Sequence, residues 1–370
     1  MKSLKNSNLP KLVAFFVAAI ILTCTVAYAT GGFTQLTNNN QQGDENNQED
    51  DITNGESNDD ANQEETPVIK PIPEYLHYIT GCEITSEESH KKPICFTLDA
   101  LAPQYGLSHS YLIYEIPTEF GKSRYIAYTD NALNLGKIGS IAPTRGYISN
   151  LASYFGGILV SNGNDTNVKT ESFAIADGFL DITENIGYHY TEPNNYSYTN
   201  GDLITALIKN TKTGLIKIEP TTIPYYHNEY YADPIRGTTK AEYIQIKYSN
   251  LNYTEFLYSQ DSHNYSLYKN GSVQKDLLND KICTYDNVFI LNVNSATYET
   301  LEYTECVLDT KSSGTGFFFT EGTYTQITWT VSNEGKLIFL NENGEKLTAN
   351  RGTTYIALAK SSEPQNITIQ

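Results

Sequence analysis

Residues 147–160 read YISNLASYFGGILV. Tyr147, Ile148, Leu151, Tyr154 and Phe155 recur at the steps of a helix with one apolar face, and Ile158-Leu159-Val160 then gives a short buried strand. Upstream, Ile94 to Leu98 is another short apolar run, closed by Asp99, and Ser123 to Thr129 (SRYIAYT) is a further strand candidate. Downstream, Asp202 to Lys209 (DLITALIK) predicts a helix with its acid early and its base late, as the helix dipole prefers. Strand, helix and strand in that order predict an α/β layer for residues 75–210.

From about Lys240 the pattern turns to β. YIQIKY, NYSLYKNG, NVFILNV, GTGFFFTEG, YTQITWTV, GKLIFLNENGEK and TTYIAL are alternating or apolar runs broken by Gly-containing turns. Asn270-Gly271 and Asn343-Gly344 suit tight hairpins, because both residue types accept positive φ. An α/β domain is therefore expected to be followed by a β-rich antiparallel domain over 240–362, with a short tail at 363–370. The Pro-bearing segment 211–239, with Pro220, Pro224 and Pro234, reads as an irregular connector.

The N-terminus is built for export. Lys2, Lys5 and Lys11 precede the apolar run Leu12 to Ala29, which closes on Ala27-Tyr28-Ala29, an A-x-A cleavage pattern. Three fates compete: cleavage and release, retention of residues 1–29 as a single-span membrane anchor, or lipidation of Cys24 after Ile21-Leu22-Thr23. Residues 30–74 form a spacer of different material, in which ten carboxylates stand against one lysine between positions 31 and 70. So acidic and apolar-poor a segment reads as disordered.

The whole chain of 370 residues carries 25 Lys plus Arg against 43 Asp plus Glu, a net charge of −18. No cation cluster stands out in the sequence, which argues against a nucleic-acid partner. The five cysteines are Cys24, Cys82, Cys95, Cys283 and Cys306. Outside the leader four remain, an even number for an oxidising compartment, and their separations suggest Cys82–Cys95 and Cys283–Cys306 bridges. Four unpaired buried thiols are the alternative. Neither pair has metal-site spacing, the six histidines show none either, and no cofactor motif is present. The 29 tyrosines, densest at Tyr225-Tyr226 and Tyr230-Tyr231, admit a sugar-stacking reading or a plain role as β-formers with polar tips.

The ordered motifs bring a family into view. Thr80-Gly81, KPICFTLDA (Lys92 to Ala100), QYGLSHSYLIYE (Gln104 to Glu115), Ser123-Arg124, GSIAPTRGY (Gly139 to Tyr147) and PNNYSYTNGDL (Pro193 to Leu203) resemble, in sequence, the pattern of the YerB-like bacterial envelope lipoproteins. SLYKNGSVQKD (Ser266 to Asp276), SGTGFFFTEG (Ser313 to Gly322), Ile327-Thr328-Trp329 and the NENGEK turn continue the match in the second half. The resemblance implies an N-terminal domain of unknown function with a β-rich companion, placed outside the membrane. The chain departs from the pattern at Ala142, where the family has an Arg, at Ser161 to Asn164, where it has His-Ala-Gly-Gly, and at Asn194, where it has His.

Four polar residues within these motifs are the candidate ligand-binding set: Asp99, Glu115, Arg124 and Arg145. Two carboxylates with two guanidiniums would hold a polar ligand, the Arg forks supplying bidentate recognition. Arg145 precedes a helix start and is expected to reach Asp99 or Glu115. The functional expectation is non-catalytic binding of a polar cell-surface or wall ligand; a wall hydrolase using the paired acids is the alternative. An ion-pair network that only fixes the fold would need the same residues.

Overall fold

In the computed structural model the described residues are 73–163, 178–183, 187–215, 223–229, 233–299 and 304–370. The leader with Cys24, the acidic spacer up to residue 72 and Tyr230-Tyr231 lie outside them. Among the described residues no helix is long and apolar enough to cross a membrane. The first half comprises α1 (Ser86–Ser89), β1 (Ile94–Asp99), β2 (Leu112–Pro117), β3 (Ser123–Thr129), β4 (Ile138–Ile141), α2 (Gly146–Phe155), β5 (Ile158–Ser161), β6 (Phe179–Asp181), β7 (Tyr190–Thr191), β8 (Ser197–Thr199) and α3 (Gly201–Thr211). Among the described residues the second half is β apart from one short 3-10 turn at Pro364–Asn366. It runs β9 (Tyr226–His227), β10 (Thr239–Lys240), β11 (Tyr243–Ser249), β12 (Asn252–Ser259), β13 (Asn264–Lys269), β14 (Ser272–Val273), β15 (Thr284–Tyr285) and β16 (Asn287–Val293). It ends with β17 (Ser295–Glu299), β18 (Thr304–Leu308), β19 (Ser313–Thr320), β20 (Thr323–Val331), β21 (Leu337–Leu340), β22 (Thr348–Ala349), β23 (Thr354–Lys360) and β24 (Ile367–Ile369).

The α/β expectation for the first half is wrong; that half is β-rich. The helical periodicity at 147–155 is real, and β1 and β5 do run parallel, with Ile94 opposite Ile158. Yet β1–β3, β2–β3, β4–β8 and β7–β8 are antiparallel, so hairpins rather than helical crossovers build most of the layer. The amphipathic signal of two helices outweighed several short strands that carry little periodicity of their own. α3 conforms to its dipole reading: Asn200 caps it by accepting from Leu203 N at 2.9 Å, with Asp202 in the first turn and Lys209 in the last.

One sheet of 14 strands crosses both halves, because β23 sits parallel to β16 on one side and parallel to β2 on the other. A second sheet, β14-β13-β12-β11-β24 with β15, packs over one face. Side chains alternate as strand geometry requires. Ile94, Phe96 and Leu98 of β1, Tyr125 and Ala127 of β3, and Tyr355 and Ala357 of β23 join Phe256 and Leu267 of the second sheet in one core. Their neighbours Cys95, Ile126, Tyr128 and Ile356 point the other way, into a core shared with Ile148, Leu151 and Phe155 of α2. Covered on both faces, the central strands are buried at nearly every position, which explains their uninterrupted apolar runs. At the β13–β14 hairpin Asn270 and Gly271 take φ of 51° and 75°, the conformation that selects this pair.

The expected disulfides are absent. Cys82, Cys95 and Cys283 are free thiols. Cys95 is wholly buried beneath α2, while Cys82 lies near the surface with its Sγ 3.8 Å from the Thr80 carbonyl. An even count at modest separation says nothing of which face a strand residue takes, and β1 turns Cys95 into the core. Cys283 is buried, which pushes its thiol up to about 12, and the side chain of Cys306 lies outside the description.

Candidate functional site

The four candidates divide between the two faces of the sheet. Asp99 on β1 and Arg124 on β3 are opposite one another in register and share the α2 side. Glu115 on β2 points to the other side, under the second sheet. No arrangement of rotamers brings Glu115 to Asp99 through a packed layer.

On the α2 side, β1, β5 and β6 run parallel and their carboxyl ends meet the start of α2. Sites in open sheets gather at such ends. Arg145 is the N-cap residue of α2, in an extended conformation, and its side chain does not cap the helix. Its Nε donates to Glu119 Oε1 at 3.2 Å rather than to Asp99 or Glu115. Arg124 Nη1 donates to the Pro143 carbonyl at 2.6 Å, and Asp99 Oδ1 accepts from Leu101 N at 2.9 Å. Burial, and after it the neighbouring charge of Arg145, bring the Arg124 guanidinium below its ordinary value, while Tyr147, Glu119 and Asp99 oppose that shift. Two guanidiniums stand close enough to repel, an arrangement that favours an anion. The hydroxyls of Thr97 and Thr144 lie buried with no hydrogen-bond partner.

On the other side Glu115, 0% exposed, is fully engaged. It accepts from Ser123 Oγ at 2.7 Å, Thr254 Oγ1 at 2.6 Å and the Tyr355 hydroxyl at 2.6 Å, and it pairs with Lys269 Nζ. Burial alone would raise its carboxyl, but Lys269 and the hydroxyl donors bring it below the ordinary carboxylate range. Thr254 and Lys269 belong to the second half, so this network stitches the halves together. A second carboxylate does so in reverse: Asp276, 0% exposed, accepts from Gly106 N at 2.8 Å, Ser108 N at 3.0 Å and Ser108 Oγ at 2.6 Å. The adjacent residues Ser123-Arg124 thus serve opposite faces, one the seam and one the arginine pair.

Sequence reasoning missed Glu119, Lys269, Thr254 and Asp276. Asp276 and Gly106-Leu107-Ser108 were visible as motif residues, but nothing along the chain links positions 170 apart. His77, in the opening segment, is tied at both nitrogens: Nδ1 accepts from Thr80 N at 3.1 Å, so Nε2 carries the proton toward Asp130 Oδ2 at 3.0 Å. That leaves it no role as a free base. The tyrosine cluster divides too. Tyr225 is buried, stacked 5.6 Å from Phe289, while Tyr226 is exposed with Lys346 Nζ 4.4 Å from its ring. Lys137 Nζ sits 3.9 and 4.0 Å from the rings of Tyr105 and Tyr198, joining two more of the motifs.

A mixed sheet shared by two halves, locked by buried carboxylates and bearing an arginine pair at one strand end, defines a two-part β-rich class of protein. The chain belongs to the DUF3048 family of unknown function: residues 79–213 match its N-terminal domain and 244–356 its C-terminal domain. Its fold is similar to the crystal structure of YerB protein from Bacillus subtilis, with a TM-score of 0.69 and 19% identity over 80% of this chain and 99% of that one. Comparison with curated proteins found no match.

Proposed function

We propose that the protein is an exported envelope protein that binds an anionic cell-surface ligand at Arg124 and Arg145 without turning it over. The charged flank, the apolar run 12–29 and the A-x-A end support export, with membrane attachment through that run or through Cys24. The observation that carries ligand binding is the placing of two guanidiniums, Arg124 and Arg145, near one another at the start of α2, where Arg124 is lowered by burial first and by Arg145 second. Paired-acid hydrolysis needs two carboxylates across one bond, and Asp99 and Glu115 face opposite sides of the sheet.

Calorimetric titration of the full chain with soluble wall fragments, and separately with inorganic phosphate, tests this. Saturable binding is expected, weakened about tenfold or more in Arg145→Lys because an ammonium lacks the planar fork. Absence of saturable heat with both probes, or equal affinity in Arg145→Lys, would sink the reading.

A further inference from the structure

The hairpin between β2 and β3 ends in residues 118–122, and Phe120 at its tip is 80% exposed. Its φ of 57° lies in the left-handed region that bulky side chains avoid. The turn between β11 and β12 carries Leu251, 85% exposed. These are the two most exposed large apolar side chains among the described residues. Their turns are fastened to one another, since Asn252 Nδ2 donates to the Gly121 carbonyl at 2.9 Å. A Cβ on Gly121 would fall 2.5 Å from Ser249 Cβ, so that position is held to glycine by close approach as well as by its φ of 66°.

Cations rim the two tips. Lys122 belongs to the same hairpin and is exposed; Lys247, also exposed, and Lys360 line a shallow cleft beneath it. The acids Glu119 and Glu363 are each in an ion pair, with Arg145 at 3.2 Å and Lys360 at 3.8 Å. In a chain of net charge −18, a cationic rim around apolar tips is a local reversal of sign.

We propose that this face seats on an anionic lipid bilayer, with Phe120 and Leu251 entering the headgroup layer and Lys122 and Lys247 meeting lipid phosphates. Charge complementarity selects the surface, because this face carries exposed lysines while the chain as a whole is acidic and is repelled by it. The shape agrees. Two convex side chains suit a fluid interface, whereas a stable protein partner would need about 800 Å² of continuous contact. The seating does not depend on the ligand reading above, although it would place the arginine pair close to the membrane plane.

The test uses the full chain carrying Phe120→Trp, or Leu251→Trp as a second reporter, in brominated vesicles of phosphatidylcholine with or without phosphatidylglycerol. Residues 12–29 would attach the chain by themselves, so attachment is not the readout; the depth of residue 120 is. The single native tryptophan, Trp329, is 2% exposed and gives a constant background. Emission from the reporter at position 120 is expected to shift blue and to be quenched only with phosphatidylglycerol. Lys247→Gln should weaken the titration about fivefold, the worth of one surface cation. Reporter emission that phosphatidylglycerol leaves unchanged, or equal quenching by phosphatidylcholine alone, would overturn the proposal. Failure of the wall-fragment titration would leave this signal intact, because it needs no added ligand.

Discussion

Glu115 with Lys269, and Arg145 with Glu119, are both acid–base pairs. The first is sealed: Lys269 and Glu115 side chains are 7% and 0% exposed, and the carboxylate takes three hydroxyl donors as well. The second is half open, at 21% and 10%, with another guanidinium beside it. The contrast teaches that charge type does not decide role. A buried pair with every lone pair engaged holds structure, because losing one partner strands a charge in a medium that cannot solvate it. A partly wet pair beside a like charge costs little to break and can exchange partners.

The sharpest way to break the comparison is to remove one partner from each pair. Lys269→Met should destabilise the protein by roughly 3–5 kcal/mol in urea unfolding, because the Glu115 carboxylate stays behind unpaired. Asp276→Asn should cost about 1.5–3 kcal/mol, since a neutral amide accepts less strongly from Gly106 and Ser108. The seam should also show in acid. The carboxyl of Glu115 is lowered from an ordinary 4.5, so its contribution is complete above that pH and is lost as pH falls through the depressed value. Glu115→Gln should flatten the corresponding part of a stability–pH curve; an unchanged curve would mean the carboxylate is not ionised in the folded state. Arg145→Lys should change stability by no more than about 1 kcal/mol while altering ligand affinity, the reverse of Lys269→Met. Phe120→Asp should be the quietest, within about 0.5 kcal/mol, because little surrounds that side chain to be lost.

What could be read along the chain was local. The apolar period of α2, the Asn-Gly turn at 270–271 and the acid-early, base-late α3 each depend on residues within one element, and each formed where expected. The faces did not follow. Alternation says that Glu115 opposes its neighbours Tyr114 and Ile116, but whether it opposes Asp99 depends on a register across β3 that no short-range pattern carries. The error over Cys95 has the same root. The pairing of β2 with β23 joins Leu112 to Thr354, and the Glu115–Lys269 contact spans 154 residues. Patterning within a strand carries no label for so distant a partner. Stretches that carry the family resemblance, such as those holding Gly106-Leu107-Ser108 and Asp276, meet each other at the seam.

The place of β23 sets an order of events in biosynthesis. A ribosome delivers β2 early, yet one flank of β2 stays an open row of unpaired amides and carbonyls until residues 354–360 emerge. For most of its synthesis the first half is therefore an unfinished sheet, the kind of edge that invites pairing with another chain. Closure must wait for long loops to be brought together, which predicts slow folding. A stop shortly before residue 354 would remove the strand that both halves share, so it should cost the first half its solubility as surely as it costs the second half its sheet.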